Sequence, residues 1–130
     1  MKLLNLDEHH RYDRESLSRY PRKSDGTIEW AMATDGSVLC SMDSDSIDMS
    51  SVIQQFAPRS GTLIFFWESL AVPSVEMGLE SSLAHLPGIT ETFPEFWIYS
   101  PSDRVVVELS FSGVVTAAYA PADAGDTSSA

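Results

Sequence analysis

The sequence predicts an α+β fold: a single domain with a mainly antiparallel sheet, packed on one side by two or three helices. Three observations lead to this class. Several segments alternate apolar and polar residues, others repeat apolar residues at helical period, and the last third holds three strand-like segments joined by short turns. We expect residues 1–120 to form this domain. Residues 121–130, "PADAGDTSSA", are small and polar, which predicts a flexible C-terminal tail.

The first third of the chain predicts a short helix and then a hairpin. The helix would begin at Asp13, carry Leu17 and Tyr20 on one side, and end at Pro21. Residues 27–42 hold two alternating segments around Asp35-Gly36, a dipeptide typical of hairpin turns. The alternating apolar residues are Ile28, Trp30 and Met32 before the turn, and Val38, Cys40 and Met42 after it. This pattern directs Trp30 and Cys40 toward a core.

Three aspartates, Asp43, Asp45 and Asp48, precede a helix predicted near residues 46–57. Asp45 is the predicted N-cap, and Asp48 would then lie at the third helical position, near free amide groups. A calcium loop counted from Asp43 needs glycine at the sixth position and glutamate at the twelfth, where this sequence has Asp48 and Gln54. The aspartates therefore predict a helix start and not a metal site.

The middle of the chain predicts a buried strand and a second long helix. "TLIFFWE" at 62–68 is almost continuously apolar, which is typical of a strand in the interior of a sheet. An apolar stripe from Val72 to Leu86 favours a helix that starts near Pro73 and stops at Pro87-Gly88. Glu76 and Glu80 would face solvent. Gly78 weakens this helix, and "VPSVEM" at 72–77 is compatible with an extended segment instead.

The last third predicts a three-stranded antiparallel meander, formed by "EFWIY", "RVVVELSF" and "VVTAAYA" with the turns "SPSD" and "SG" between them. Trp97 lies between Phe96 and Ile98, so both faces of its strand are apolar. One face is then either covered by a helix or offered to a partner.

The charge of the chain is strongly acidic and unevenly distributed. The formal net charge is −11, with +2 on residues 1–23 (six basic and four acidic side chains) and −13 on residues 24–130 (two basic and fifteen acidic side chains). Such a field repels phosphates and argues against direct binding of nucleic acid, whereas it attracts a basic protein. The same acidity also keeps a protein soluble without any partner. Asp43, Asp45, Asp48, Glu76 and Glu80 are the predicted acidic edge for a partner, with Trp97 as a second candidate contact.

No motif in the sequence predicts catalysis, a cofactor or a metal. His9 and His10 are adjacent and point in different directions, and no cysteine pair accompanies them. Cys40 is the only cysteine, and its place in an alternating strand suits a small core residue. No G-x-S-x-G motif and no phosphate-binding glycine loop are present. The longest apolar run, "LIFFW", is far shorter than a membrane helix, and we expect a cytoplasmic protein that is not an enzyme.

Two segments carry a family resemblance: "TLIFFWESLAVPSVEM" and "FWIYSPSDRVVVELSFSG", within residues 62–119. In general pattern they resemble bacterial immunity proteins of contact-dependent growth inhibition systems. The resemblance implies a non-catalytic inhibitor that binds a cognate toxin domain, often a basic nuclease. The alternative is an acidic secretion chaperone of the type III class that binds an effector segment. Such chaperones end in an amphipathic helix, whereas strands are predicted here up to Tyr119.

Overall fold

A computed structural model describes residues 1–20, 23–24, 28–30, 38–43, 48–57, 61–67 and 72–120. It shows seven strands in one antiparallel sheet, in the order β1-β4-β3-β5-β6-β7-β2. The strands are β1 (Lys2–Leu3), β2 (Val38–Asp43), β3 (Thr62–Trp67), β4 (Val75–Gly78), β5 (Phe96–Ser100), β6 (Val105–Leu109) and β7 (Val114–Tyr119). The helices are α1 (Leu6–Glu15), α2 (Met49–Phe56) and α3 (Leu79–Thr92), with a 3₁₀ turn at Leu17–Arg19. The predicted α+β class is confirmed. The predicted tail, 121–130, lies outside the described residues.

Helices cover both faces of the sheet, and not one face as predicted. Because successive strand residues point to opposite faces, β3, β5, β6 and β7 each supply two apolar cores. The core under α2 and α3 includes Val52, Ile53, Phe65, Phe96, Ile98 and Val107. The core under α1 and the 3₁₀ turn includes Leu17, Tyr20, Ile28, Phe66, Tyr99 and Val106. The two faces are called below the α2–α3 face and the α1 face.

Helix α1 begins at Leu6, so the predicted start at Asp13 is wrong. Asn5 and Glu8 form a capping box. The Asn5 side chain accepts a hydrogen bond from the Glu8 amide at 2.9 Å, and the Glu8 carboxylate accepts one from the Asn5 amide at 3.1 Å. Leu17 and Tyr20 are buried, but they follow the helix.

The predicted hairpin at 27–42 is confirmed only in its second strand. β2 covers Val38–Asp43, but it pairs with β7, at the edge of the sheet. Trp30 lies outside any strand and packs on the α1 face, whereas Cys40 packs on the α2–α3 face. The predicted turn Asp35-Gly36 lies outside the described residues. The Trp30 indole makes a hydrogen bond to a buried side chain, described below.

Helix α2 begins at Met49, and its N-cap is Asp48 instead of the predicted Asp45. The Asp48 side chain accepts a hydrogen bond from the Ser50 amide at 3.4 Å, and its extended backbone is typical of a cap. Asp45 lies outside the described residues. The prediction placed the cap one helical turn too early, because both aspartates precede the same apolar stripe.

β3 is an interior strand between β4 and β5, as predicted. The helix predicted over Val72–Leu86 is wrong in both bounds. Val75–Gly78 forms β4 along β3, which agrees with the extended alternative. α3 then begins at Leu79 and continues through Pro87 to Thr92. Continuation past the proline brings Phe93 onto Trp67, with ring centroids 4.3 Å apart, and this packing outweighs the lost backbone hydrogen bond.

The predicted meander is confirmed. β5 pairs with β6, and β6 with β7, in regular antiparallel register. The two links turn through residues with positive φ, Arg104 at 55° and Gly113 at 86°. At Gly113 the missing side chain lets the chain reverse tightly between β6 and β7. This reversal positions the residues of the site described next.

Candidate functional site

A cleft of about 370 Å³ opens on the α1 face, at the end of the sheet where β6 turns into β7. It is called here the Glu108 cleft. Its defining residues are Trp30, Ser41, Glu95, Glu108, Phe111 and Thr116. They come from the segment before β2, from β2 itself, and from the β5–β7 meander. The cleft therefore combines parts of the chain that are far apart in sequence.

Glu108 is the buried carboxyl group of the cleft. Its residue is 5% exposed, in a strand whose other residues are all apolar. Oε1 accepts a hydrogen bond from Nε1 of Trp30 at 2.8 Å, and Oε2 accepts one from Nε1 of Trp97 at 2.7 Å. Two indole N–H donors thus offset the cost of removing this carboxyl group from water.

These two hydrogen bonds leave acceptor capacity on Glu108. An ionised carboxylate has about four lone-pair positions, and the indoles use two of them. Within the described parts of the chain, no lysine or arginine forms an ion pair with Glu108. Lys23 lines the cleft, but its side chain is exposed. The cleft therefore holds a partly satisfied acceptor that pairs with no cation of the described residues.

Trp30, one wall of the cleft, is held by Tyr20. Their rings meet edge-on with centroids 5.0 Å apart. The Tyr20 hydroxyl donates a hydrogen bond to the carbonyl oxygen of Tyr119 at 2.9 Å, which ties this wall to the end of β7. Burial raises the pKa of Tyr20, so this donor keeps its proton well above neutral pH. The indole is thus fixed by contacts on two sides.

The rim of the cleft carries an exposed aromatic ring. Phe111 is 78% exposed, in the link between β6 and β7. Its amide donates a hydrogen bond to Glu95 Oε2 at 3.3 Å, which places an acidic side chain beside the ring. The hydroxyls of Ser41 and Thr116 lie 3.2 Å apart across the β2–β7 pair. The cleft therefore offers carboxyl groups, hydroxyl groups and aromatic surface together.

Only part of the predicted partner surface lies near this cleft. Asp43 is exposed and stands opposite Val114, a residue that lines the cleft, on the same side of β2 as Ser41. Trp97 is 7% exposed, so its indole holds the Glu108 carboxyl group by a hydrogen bond but offers little surface to a partner. Its predicted direct contact with a partner is not favoured by this burial.

The other predicted acidic residues are dispersed. Asp48 and Glu80 are exposed at the starts of α2 and α3. Glu76 lies on β4, on the α1 face, opposite Lys2 of β1. The hydrogen bond from Lys2 to Glu8 raises the pKa of Lys2, and the charge of Glu76 adds a smaller contribution in the same direction. Five strand spacings, about 24 Å, separate β4 from β2, so Glu76 does not share an edge with Asp43. Glu76 was expected on a helix, and its place in a strand puts it on the opposite side from Glu80.

The sequence matches no protein-family model. It also finds no significant match among curated proteins. Within the described ranges, no group of three histidine, cysteine, aspartate or glutamate residues is arranged to hold a metal ion. The same ranges contain no helix that is long and apolar enough to cross a membrane.

A second cavity, of about 350 Å³, lies between the start of α1 and the segment before β4. His9 Nδ1 lies 2.5 Å from the hydroxyl oxygen of Ser74, and the amide of Leu4 donates to the carbonyl oxygen of Ser74 at 2.8 Å. Ser74 is buried. These contacts attach the N-terminal segment to the sheet, which gives His9 a structural role.

Sequence reasoning missed Glu108, although a signal for it was present. A glutamate inside "VVVEL" is a charged residue in a strand that is otherwise apolar on both faces. Such residues are almost never buried without partners. The partners themselves could not be read from the sequence, because Trp30 is 78 positions away from Glu108.

Proposed function

We propose that this protein is a non-catalytic immunity protein, which binds and neutralises a cognate basic toxin domain in the bacterial cytoplasm. The observation that carries the proposal is the Glu108 cleft, a buried carboxyl group beneath an exposed aromatic rim on a protein of net charge −11. Protein interfaces are enriched in aromatic anchors inside a polar rim, and complementary charge speeds association. Both oxygens of Glu108 accept hydrogen bonds from indole groups, an arrangement that suits binding better than proton transfer.

The distribution of charge supports a basic partner. Helices α2 and α3 contain no lysine or arginine, and Asp48, Glu80 and Glu91 are exposed on them or at their ends. The basic residues of the N-terminal segment lie instead around α1. The field outside α2 and α3 is therefore negative, and it would attract a basic domain. The Glu108 cleft lies on the opposite, α1 face, where Glu95 and Glu108 supply negative charge of their own.

The alternative of a secretion chaperone receives no support from the described residues. The last element in them is β7, which is paired on both sides by β6 and β2. Within the described residues the last element is thus an interior strand, whereas the chaperone class implies an amphipathic helix there. The immunity function remains the better proposal.

The proposal is tested by capture and rescue. The tagged protein, purified from its native host at low salt, should retain a basic protein domain that mass spectrometry identifies. Expression of that domain alone should arrest bacterial growth, and co-expression with this protein should restore it. A captured domain that is harmless when expressed alone, or one whose toxicity this protein leaves unchanged, would overturn the proposal.

Charge reversal then tests the surface. Asp43→Lys combined with Glu80→Lys should slow association with the captured domain by on the order of tenfold at low salt, because two attractive charges become repulsive. Glu76→Lys combined with Asp7→Lys is the matched control, since it changes the net charge by the same four units and Glu76 lies about 24 Å from the β2 edge. Surface plasmon resonance at several salt concentrations measures both rates. Equal rates for the double variant and the control would show that the acidic residues only keep the protein soluble.

A further inference from the structure

We infer that the Glu108 cleft binds one guanidinium group, supplied by an arginine side chain of the partner protein. The inference names the chemistry of one contact within the proposed function, and its partner rests on that proposal. The affinity of the cleft for a guanidinium group follows from the cleft alone. Charge, shape and donor count each support it.

The first argument is the unmatched charge of Glu108. The two indole groups that hold its oxygens are neutral donors, so they satisfy hydrogen bonds without neutralising charge. A buried carboxylate is stabilised much more by a cation that also donates hydrogen bonds. No described lysine or arginine takes that position. A cation supplied by another molecule would neutralise the charge of Glu108 and use its remaining acceptor positions.

The second argument is the aromatic surface. Trp30 forms a wall, and Phe111 stands exposed on the rim. A guanidinium group is planar and weakly hydrated, so it stacks on aromatic rings while its edge donates to a carboxylate. Its apolar stem would cover part of the Phe111 ring, which water otherwise surrounds. An ammonium group lacks this flat geometry.

The third argument is the number of acceptors and the size of the cleft. Glu95, Ser41, Thr116 and Glu108 place carboxyl and hydroxyl oxygens around one space. A guanidinium group has five N–H donors, and an ammonium group has three. The volume of about 370 Å³ lies at the small end of the range for ligand pockets, roughly 300–1,000 Å³, which fits a single side chain.

Titration with agmatine, a guanidinium group on a four-carbon chain that ends in an ammonium group, tests the inference on the intact protein without any partner. The three indole N–H signals of the ¹⁵N-labelled protein are the readout. Those of Trp30 and Trp97 report on Glu108, whereas that of Trp67, bonded to the Pro73 carbonyl oxygen, is an internal control. We expect saturable shifts of the first two signals at roughly millimolar agmatine and no shift of the third.

Two comparison ligands test the chemistry. N-(4-aminobutyl)urea keeps the chain and its ammonium group but replaces the guanidinium group with a neutral urea. Putrescine replaces the guanidinium group with a second ammonium group, like that of a lysine side chain. Both should bind several-fold more weakly than agmatine. Equal affinity of N-(4-aminobutyl)urea, tighter binding of putrescine, or parallel shifts of Trp67 would each overturn the inference.

Two variants locate the bound group. Glu108→Gln should abolish the shift of Trp97, and Phe111→Ser should weaken agmatine binding about threefold or more while leaving the fold intact, because that ring is exposed. The second variant keeps the test valid if the first does not fold. Unchanged agmatine affinity in Phe111→Ser would overturn the placement. Failure of the agmatine titration leaves capture of a toxin unaffected, and failure of capture leaves the titration unaffected, so the two proposals fail separately.

Discussion

The Glu108 contacts predict a specific non-additivity between two substitutions, Glu108→Gln and Trp30→Phe. The indole hydrogen bonds to Glu108 are 2.8 and 2.7 Å long, within the range of charge-assisted bonds. Each such bond contributes about 1.5–3 kcal/mol to the free energy of unfolding. Glutamine keeps one acceptor oxygen, and its amide nitrogen would face the second indole donor. Glu108→Gln should therefore lower the free energy of unfolding by about 2–3 kcal/mol, because one hydrogen bond is lost and two N–H donors, of the amide and of an indole, face each other.

Trp30→Phe removes one of the two donors and should cost about 2 kcal/mol by itself. In the double variant the glutamine amide nitrogen turns toward the position that the indole has left, and its oxygen still accepts from Trp97. The opposed donors are then gone. We expect the double variant to be less destabilised than the sum of the single variants, by about 1–2 kcal/mol.

Urea unfolding followed by far-ultraviolet circular dichroism measures this coupling, because tryptophan fluorescence changes with the substitution itself. The slope of the free energy against urea concentration should stay constant across the variants. Trp67→Phe is the matched control, since its indole donates to the Pro73 carbonyl oxygen and not to Glu108. Combined with Glu108→Gln, it should be additive within about 0.5 kcal/mol. Additive behaviour of the Trp30 pair as well would refute the shared role of Glu108.

Four further outcomes are expected from other contacts. In urea unfolding, Asp48→Ala should lower the free energy of unfolding by about 1 kcal/mol, because α2 loses its N-cap. Asp45→Ala should lower it by less. Tyr99→Phe should be neutral or should stabilise the protein by about 1 kcal/mol, because the buried Tyr99 hydroxyl has no hydrogen-bond partner among the described residues. Tyr20→Phe should lower the free energy of unfolding by about 1 kcal/mol, because a hydrogen bond is lost. Burial raises the pKa of Tyr20, so the folded protein keeps a proton that the unfolded chain loses above about pH 10. Stability should fall as pH rises beyond that point, and less steeply in Tyr20→Phe. Pro87→Ala should raise the thermal midpoint by a few degrees, because α3 regains a backbone donor.

Local patterns predicted the strands of the meander and of β3, because their signals are contained in five or six consecutive residues. The apolar runs lie in strands, and the predicted turn sequences "SPSD" and "SG" lie between those strands, as in the structure. The start of α1 was also readable, since Asn5 and Glu8 have the spacing of a capping box. It was missed because His9, His10 and the charged residues gave the segment no apolar stripe.

Other errors arose where distant contacts decide the structure. The apolar residues of "VPSVEM" fit a helix and a strand equally well, and pairing with β3 selects the strand. Pro87 predicts a helix end, but the stacking of Phe93 on Trp67 carries α3 beyond it. The cleft could not be predicted either. Its carboxyl group was visible as an anomaly in β6, while its indole donors come from residues whose placement depends on the whole sheet.

The position of β2 has a consequence for biosynthesis. β2 pairs with β7, so residues 38–43 cannot join the sheet until residues 114–119 have been synthesised. Trp30 and Ser41 likewise reach their places only when Glu108 and Thr116 have been made. A nascent chain that is released early can fold helices, but it lacks the strand that closes this side of the sheet. A chain that ends before residue 114 would therefore lack the cleft, because β7 supplies Val114 and Thr116 to it.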